Sequence, residues 1–187
     1  MQTRRHVLTL LAGALATPAL AQVPNMSRTT AYAFSFAALE GADIRLMAHA
    51  GKPILVVNTA SLCGYTPQYA GLQELWTRYR ARGLLIVGVP ANDFGSQEPG
   101  GAAEISKTAH DGYRVSFPLA AKVVVKGPEA HPFYKWAALQ RPGETPRWNF
   151  HKYLVGRDGT IKASFATAVE PTDARVIAAI ERELAAE

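Results

Sequence analysis

The sequence predicts an α/β fold in which helices flank a central mixed β-sheet. Three observations carry this. Residues 54–58 and 84–89 are apolar runs, the first closed by Asn58, and they read as strands buried on both faces. Between them Tyr69, Leu72, Leu75, Trp76 and Tyr79 recur at helical spacing. Near the C-terminus, two extended segments joined by Arg157-Asp158-Gly159-Thr160 precede an amphipathic stretch.

Taken in chain order, Phe34-Ser35-Phe36 and Ile44-Arg45-Leu46 alternate and form a hairpin with its turn near Glu40-Gly41-Ala42-Asp43. After the strand at 54–58, Thr66 reads as an N-cap and Pro67 as the first helical residue. That helix stops at Arg82-Gly83. The second strand is Leu84 to Val89, and Ala103 to Ala109 is a short helix. Phe117-Pro118-Leu119 opens an extended region, with Lys122 to Val125 as a strand. Pro132 to Leu139 is helical, and 140–147 is a loop holding Pro142, Gly143 and Pro146. Phe150 to Val155 and Ile161 to Phe165 are hairpin partners. In the last helix, 171–186, Val176, Ile177, Ile180 and Leu184 share a face. A β-α-β unit followed by a hairpin and a helix is the thioredoxin-like arrangement.

The 187 residues are 48% hydrophobic, which suits one soluble domain with a sizeable core. No internal repeat or heptad run is present. The net charge of +5 is modest and the basic residues are scattered, which argues against a nucleic-acid partner. The N-terminus reads as a separate object. Arg4-Arg5 precede an apolar stretch from Val7 to Ala16, and Ala19-Leu20-Ala21 is a small-x-small cleavage site. The expectation is a signal peptide over 1–21, a polar leader over 22–30 and a single domain over 31–187. The stretch is shorter than the roughly 20 residues a membrane span needs, so no stable membrane insertion is expected after cleavage. The protein is therefore expected to be exported, to a periplasm. Thr3-Arg4-Arg5-His6-Val7-Leu8 resembles a twin-arginine signal, and both the twin-arginine and the general export route stay open.

The chain has one cysteine, so it holds no internal disulfide. A lone thiol is a buried core filler, a dimerising contact or a reactive group. Its setting favours the last. Cys63 lies in the loop after the first buried strand, just ahead of a helix. There the free backbone N–H groups and the helix dipole favour the thiolate. Gly64 removes a side chain beside it. In a Cys-x-x-Cys motif the fourth residue closes a disulfide; here it is Thr66, so the oxidised sulfur must be passed to a partner.

Four separated motifs resemble the glutathione peroxidase family, over most of the chain after the signal. They are Asn58-Thr59-Ala60-Ser61-Leu62-Cys63-Gly64-Tyr65-Thr66-Pro67-Gln68-Tyr69; Gly88-Val89-Pro90-Ala91-Asn92-Asp93-Phe94-Gly95-Ser96-Gln97-Glu98-Pro99-Gly100; Phe117-Pro118-Leu119 with His131-Pro132-Phe133-Tyr134; and Trp148-Asn149-Phe150-His151-Lys152-Tyr153-Leu154-Val155-Gly156-Arg157-Asp158-Gly159. The resemblance implies a thiol-dependent peroxidase that reduces hydrogen peroxide and organic or lipid hydroperoxides. It implies a catalytic group of Cys63, Gln97, Trp148 and Asn149. Cys63 would attack the O–O bond and become a sulfenic acid. The two amides and the indole would offer donors toward the sulfur or the leaving oxygen. Asn92 and Phe94 would help shape the pocket, with Tyr65 and Phe150 as packing. No bound cofactor or metal is implied.

The departures from the family refine this. The positions where relatives hold further cysteines fall at Ala91 and at or beside Ala109. The expected cycle is therefore sulfenic acid, then a mixed disulfide with an external thiol, glutathione or a protein's, then release by a second thiol. Asp93 stands where Gln is frequent and is expected to face solvent. The short 140–147 segment lacks the insert that supports tetramers, so a monomer is expected. Arg147 and Lys122 are the candidates for binding the thiol donor. Pro146 lies where thioredoxin-like folds often hold a cis proline. Two rival readings remain: an exported thioredoxin-like thiol-binding protein without useful turnover, favoured by the missing second cysteine, and a metal module of Cys63 with His6, His49, His110, His131 and His151, disfavoured by their spacing.

Overall fold

In the computed structural model, which describes residues 29–185, Ser35–Phe36 (β1) and Ile44–Arg45 (β2) pair antiparallel. The expected signal segment and all but the end of the leader lie outside the described residues. A four-stranded sheet follows, built from Ile54–Thr59 (β3), Leu85–Pro90 (β4), Lys152–Val155 (β5) and Ile161–Phe165 (β6), in the order β4-β3-β5-β6. β3 runs parallel to β4 and antiparallel to β5, so the sheet is mixed. The helices are Gln68–Tyr79 (α1), Ala102–Ser106 (α2), Pro132–Gln140 (α3) and Ala174–Ala185 (α4).

Side-chain alternation along β3 explains why it sits at the centre. Ile54 and Val56 face a cluster with Phe36, Leu46, Phe133 and Trp136, from the hairpin side and α3. Leu55 and Val57 face the opposite cluster, with Leu72, Leu75, Val176 and Ile180 from α1 and α4. Each such fully buried aliphatic side chain contributes roughly 1.5–3 kcal/mol. Helices thus cover both faces of a thioredoxin-like sheet, and the loops at the C-terminal ends of β3 and β4 emerge together. Gly88 in β4 permits one close approach: a Cβ there would lie 2.5 Å from Leu119 Cδ2.

Several boundaries differ from expectation, for local reasons. Helix α1 starts at Gln68, with Pro67 as its cap, because the Thr66 hydroxyl is engaged elsewhere. Lys122 to Val125 is not a strand. Gly88 N–H donates to Pro118 O and Ala120 N–H to Gly88 O. Beyond that, Val123 N–H donates to Pro90 O at 3.0 Å, but Pro90 has no N–H to return the bond, and the regular ladder ends. The short helix at 102–106 continues as a π turn over Lys107–Gly112, with Ser106 Oγ and His110 Nδ1 3.0 Å apart. β5 begins at Lys152 rather than Phe150, because Phe150 takes a left-handed φ of 62°. The described residues contain no cis peptide, so Pro146 is trans.

Candidate active site

The loop after β3 is folded on itself by Thr66. Cys63 N–H donates to Thr66 Oγ1 at 3.1 Å, and that hydroxyl donates to Ala60 O at 2.9 Å. Thr66 N–H closes the turn on Cys63 O at 2.9 Å. Tyr65 N–H then points at the sulfur, 3.4 Å from Cys63 Sγ. The thiol is largely buried, 7% exposed, and unpaired. At Gly64 a Cβ would meet no atom within 4 Å outside its two chain neighbours, so the space at this turn is open.

The loop after β4 delivers Gln97. Gly95 and Ser96 both have left-handed φ, 64° and 52°, and reverse the chain. Gly95 also admits the Trp148 ring, since a Cβ there would lie 3.3 Å from Trp148 Cη2. Asn92 Oδ1 accepts Glu98 N–H at 2.8 Å and fixes the far side of the turn. Leu62 N–H donates to Gln97 O at 3.0 Å, which ties this loop to the residue preceding Cys63. Glu98, buried beside Ser61, has its carboxyl pushed up by burial, with Ser61 and Lys122 working against that rise.

Trp148 and Asn149 arrive ahead of β5. Asn58, the buried amide of β3, holds them. Its Nδ2 donates to Trp148 O at 3.1 Å, its Oδ1 accepts His151 N–H at 3.2 Å, and its carbonyl accepts Phe150 N–H at 2.6 Å. Thr167 Oγ1 donates to Asn149 O at 2.7 Å. Fully buried Asn149 donates from Nδ2 to Gln97 Oε1 at 2.9 Å. With its oxygen so engaged, Gln97 keeps both amide hydrogens without a partner among the described residues. Trp148 is 38% exposed, and its ring centroid lies 6.0 Å from that of Phe94.

The four residues expected to act are therefore linked through three loops. Gln97 and Asn149 meet directly, Gln97 is joined to the Cys63 loop through Leu62, and Trp148 flanks Gln97 across Gly95. No side-chain hydrogen bond joins Cys63 Sγ to the other three. The sequence reading missed Asn58, Thr66 and Thr167; the signal for Asn58 was a lone amide closing an otherwise apolar strand.

Two lesser expectations change. Asp93 does not simply face solvent: it is half-buried, and its Oδ2 accepts Val125 N–H at 3.0 Å. Lys122 is withdrawn from donor binding, because Nζ donates to Glu98 O, Pro99 O and Gly100 O at 3.0, 3.3 and 2.7 Å. Arg147 remains available, exposed on the wall of a cavity of about 600 Å³ that Tyr65 and Trp148 also line. Among the described residues no group of three or more His, Cys, Asp or Glu could hold a metal ion. No helix among them is long and apolar enough to cross a membrane.

A family model described as glutathione peroxidase matches residues 31–138. The chain belongs to the glutathione peroxidase family. It is 42% identical to the hydroperoxy fatty acid reductase gpx1 of Synechocystis sp., covering 84% of this chain and 98% of that protein. It is 38% identical to the glutathione peroxidase homolog BsaA of Staphylococcus aureus, covering 83% of this chain and 96% of that one. The crystal structure of Trgpx in apo form superposes with a TM-score of 0.65 at 34% identity, covering 82% of this chain and 97% of that one. As a cysteine-type glutathione peroxidase homologue the chain is a thiol-dependent peroxidase, consistent with a cysteine sulfenic acid resolved by an external thiol.

Proposed function

We propose that Cys63 is the peroxidatic residue, with Gln97, Trp148 and Asn149 serving the leaving oxygen. The thiolate attacks one peroxide oxygen: the S–O bond forms, the O–O bond breaks, and sulfur is oxidised to the sulfenic acid. The departing alkoxide or hydroxide takes a proton and leaves as alcohol or water. An external thiol then condenses with the sulfenic acid, forming a mixed disulfide and releasing water. A second thiol attacks the donor's sulfur, freeing Cys63 and leaving a donor disulfide.

The observation that carries this reading is the Asn149–Gln97 amide pair beside the Cys63 loop. It leaves the Gln97 N–H donors free for charge developing on oxygen, where preorganised donors act most strongly. Trp148 supplies an apolar wall and Tyr65 N–H a backbone donor at the sulfur.

Hydrogen peroxide is one substrate in this reading, and long-chain organic hydroperoxides are another. The exposed Trp148 and Tyr65 rings on an open cavity, and the fatty-acid specificity in the Synechocystis relative's name, support the second. The donor is glutathione or a protein thiol, and Arg147 is its candidate contact. The protein works as an exported, periplasmic monomer, after cleavage at Ala21. The charged and apolar pattern of residues 4–21 supports export, and the short 140–147 loop supports the monomer.

The test is NADPH-coupled peroxide reduction by the chain from Gln22 onward, with glutathione and glutathione reductase. Turnover lost on Cys63→Ser is the expected result. Absence of turnover together with a thiol inert to peroxide would overturn the reading.

A further inference from the structure

Lys152 is fully buried, a position that an ammonium holds only when its donors are met. Nζ donates to Gln68 Oε1 at 2.6 Å, to Phe150 O at 2.7 Å and to Val169 O at 2.7 Å. The three acceptors come from three segments around the candidate site. Gln68 opens α1 just after the Cys63 turn. Phe150 follows Asn149. Val169 lies between β6 and α4. The same segments are tied again nearby: Gln68 Nε2 donates to Thr167 O at 2.8 Å and Glu170 Oε1 at 3.3 Å, and Thr167 Oγ1 donates to Asn149 O.

Phe150 explains why such a tie is needed. Its φ of 62° is one that a bulky residue holds only under restraint. The kink falls between Asn149, which meets Gln97, and β5, which is locked in the sheet. Phe150 is held at its N–H by Asn58 O and at its carbonyl by Lys152 Nζ.

We propose that Lys152 is a positioning residue for the peroxidase reaction: its ammonium fixes the strained Asn149–Phe150 link against the start of α1, in the register that sets Asn149 on Gln97. This rests on the reading of Cys63, Gln97 and Asn149 given above. An ammonium has three N–H donors and meets all three acceptors. The neutral amine has two donors and a lone pair, so one acceptor would lose its partner. Burial brings Lys152 down to about 8, while the Glu170 carboxylate pulls the other way. The His151 and Tyr69 side chains packed here carry no charge in this range. Burial holds His151 at about 4, and burial raises the Tyr69 hydroxyl. The lock therefore weakens as pH rises past about 8.

Two rates on the reduced protein test this across neutral to alkaline pH: oxidation of Cys63 by hydrogen peroxide, and its alkylation by iodoacetamide. Both need the thiolate, but only oxidation needs Asn149 and Gln97. Their ratio thus reports positioning and not thiol ionisation or folding. In the wild type the ratio is expected to fall several-fold above about pH 8. Lys152→Met is expected to lower it about 10- to 100-fold at neutral pH, with no further fall. Lys152→Arg, which keeps its charge, should recover part of the ratio and hold it at alkaline pH. An unchanged ratio in Lys152→Met would overturn the proposal. If that variant does not fold, a wild-type ratio that stays flat at alkaline pH does the same. Cys63→Ser separates the two claims: peroxide turnover surviving that change sinks the peroxidatic reading itself, whereas a dead Cys63→Ser beside a normal Lys152→Met sinks only the role of Lys152.

Discussion

Asn149 and Gln97, 52 positions apart in the chain, are joined by a 2.9 Å amide–amide hydrogen bond. The bond orients Gln97 by occupying its oxygen and leaving its N–H₂ group free. Gln97→Ala removes the donor and is expected to slow Cys63 oxidation by peroxide about 10²- to 10³-fold. Asn149→Ala frees Gln97 to rotate and is expected to slow it by a similar amount. Iodoacetamide should alkylate Cys63 at near wild-type rates in both. Stopped-flow peroxide oxidation beside alkylation checks this; parallel loss of both rates would point to a disturbed thiol instead.

Asn58 holds the segment that carries Trp148 and Asn149. Asn58→Ala leaves Trp148 O and His151 N–H without their side-chain partners, at a cost of about 1–3 kcal/mol for each buried group left unmet. Urea denaturation should show that loss, and the peroxide rate should fall with it. Asn58→Asp keeps the acceptor for His151 N–H but sets a buried carboxylate oxygen against Trp148 O, so it should cost at least as much as Asn58→Ala.

His151 links acid pH to stability. Burial, with the nearby Lys152 charge, lowers it from 6.5 to about 4 in the folded protein. Between those values the unfolded chain binds a proton that the folded chain refuses, so stability falls as pH drops from about 6.5 toward 4. The contribution is at most about 3 kcal/mol. Urea midpoints at both ends of this window, compared with His151→Asn, isolate it: the variant should show a shallower loss. Equal slopes would remove His151 as the cause.

Gly88 is needed where the 117–120 segment crosses β4. A Cβ at Gly88 would meet Leu119 Cδ2 at 2.5 Å and Phe117 Cε2 at 3.2 Å. Gly88→Ala should destabilise by about 1–3 kcal/mol through overpacking. Shortening the neighbour in a Gly88→Ala/Leu119→Val pair should recover part of the loss in thermal melts, and a neutral Gly88→Ala would contradict the contact.

The main architecture was legible in the sequence because its signals are one-dimensional. β3 and β4 are apolar on both faces since helices cover both sides, and α1 shows its buried face at helical spacing. The motifs also indicated Cys63, Gln97 and Asn149 as members of one site. What escaped depended on partners distant in the chain. The 122–125 strand fails because Pro90, on the neighbouring strand, lacks an N–H. Thr66 is a sound N-cap residue that is instead spent on Ala60 O and Cys63 N–H. Lys122 looked like a free cation until three carbonyls closed on it. Lys152 reads as an ordinary polar position in a strand, and only the packing of three segments around it reveals the buried lock.

In the proposed cycle Cys63 alone carries the oxidised intermediate and hands it to an outside thiol. Intact mass spectrometry of the reduced protein after one equivalent of peroxide tests it most directly. The expected product is a monomer with one added oxygen, located at Cys63, that converts to a donor adduct when glutathione or another thiol is supplied. A Cys63–Cys63 dimer as the main productive species, or oxygen added elsewhere with Cys63 untouched, would contradict it.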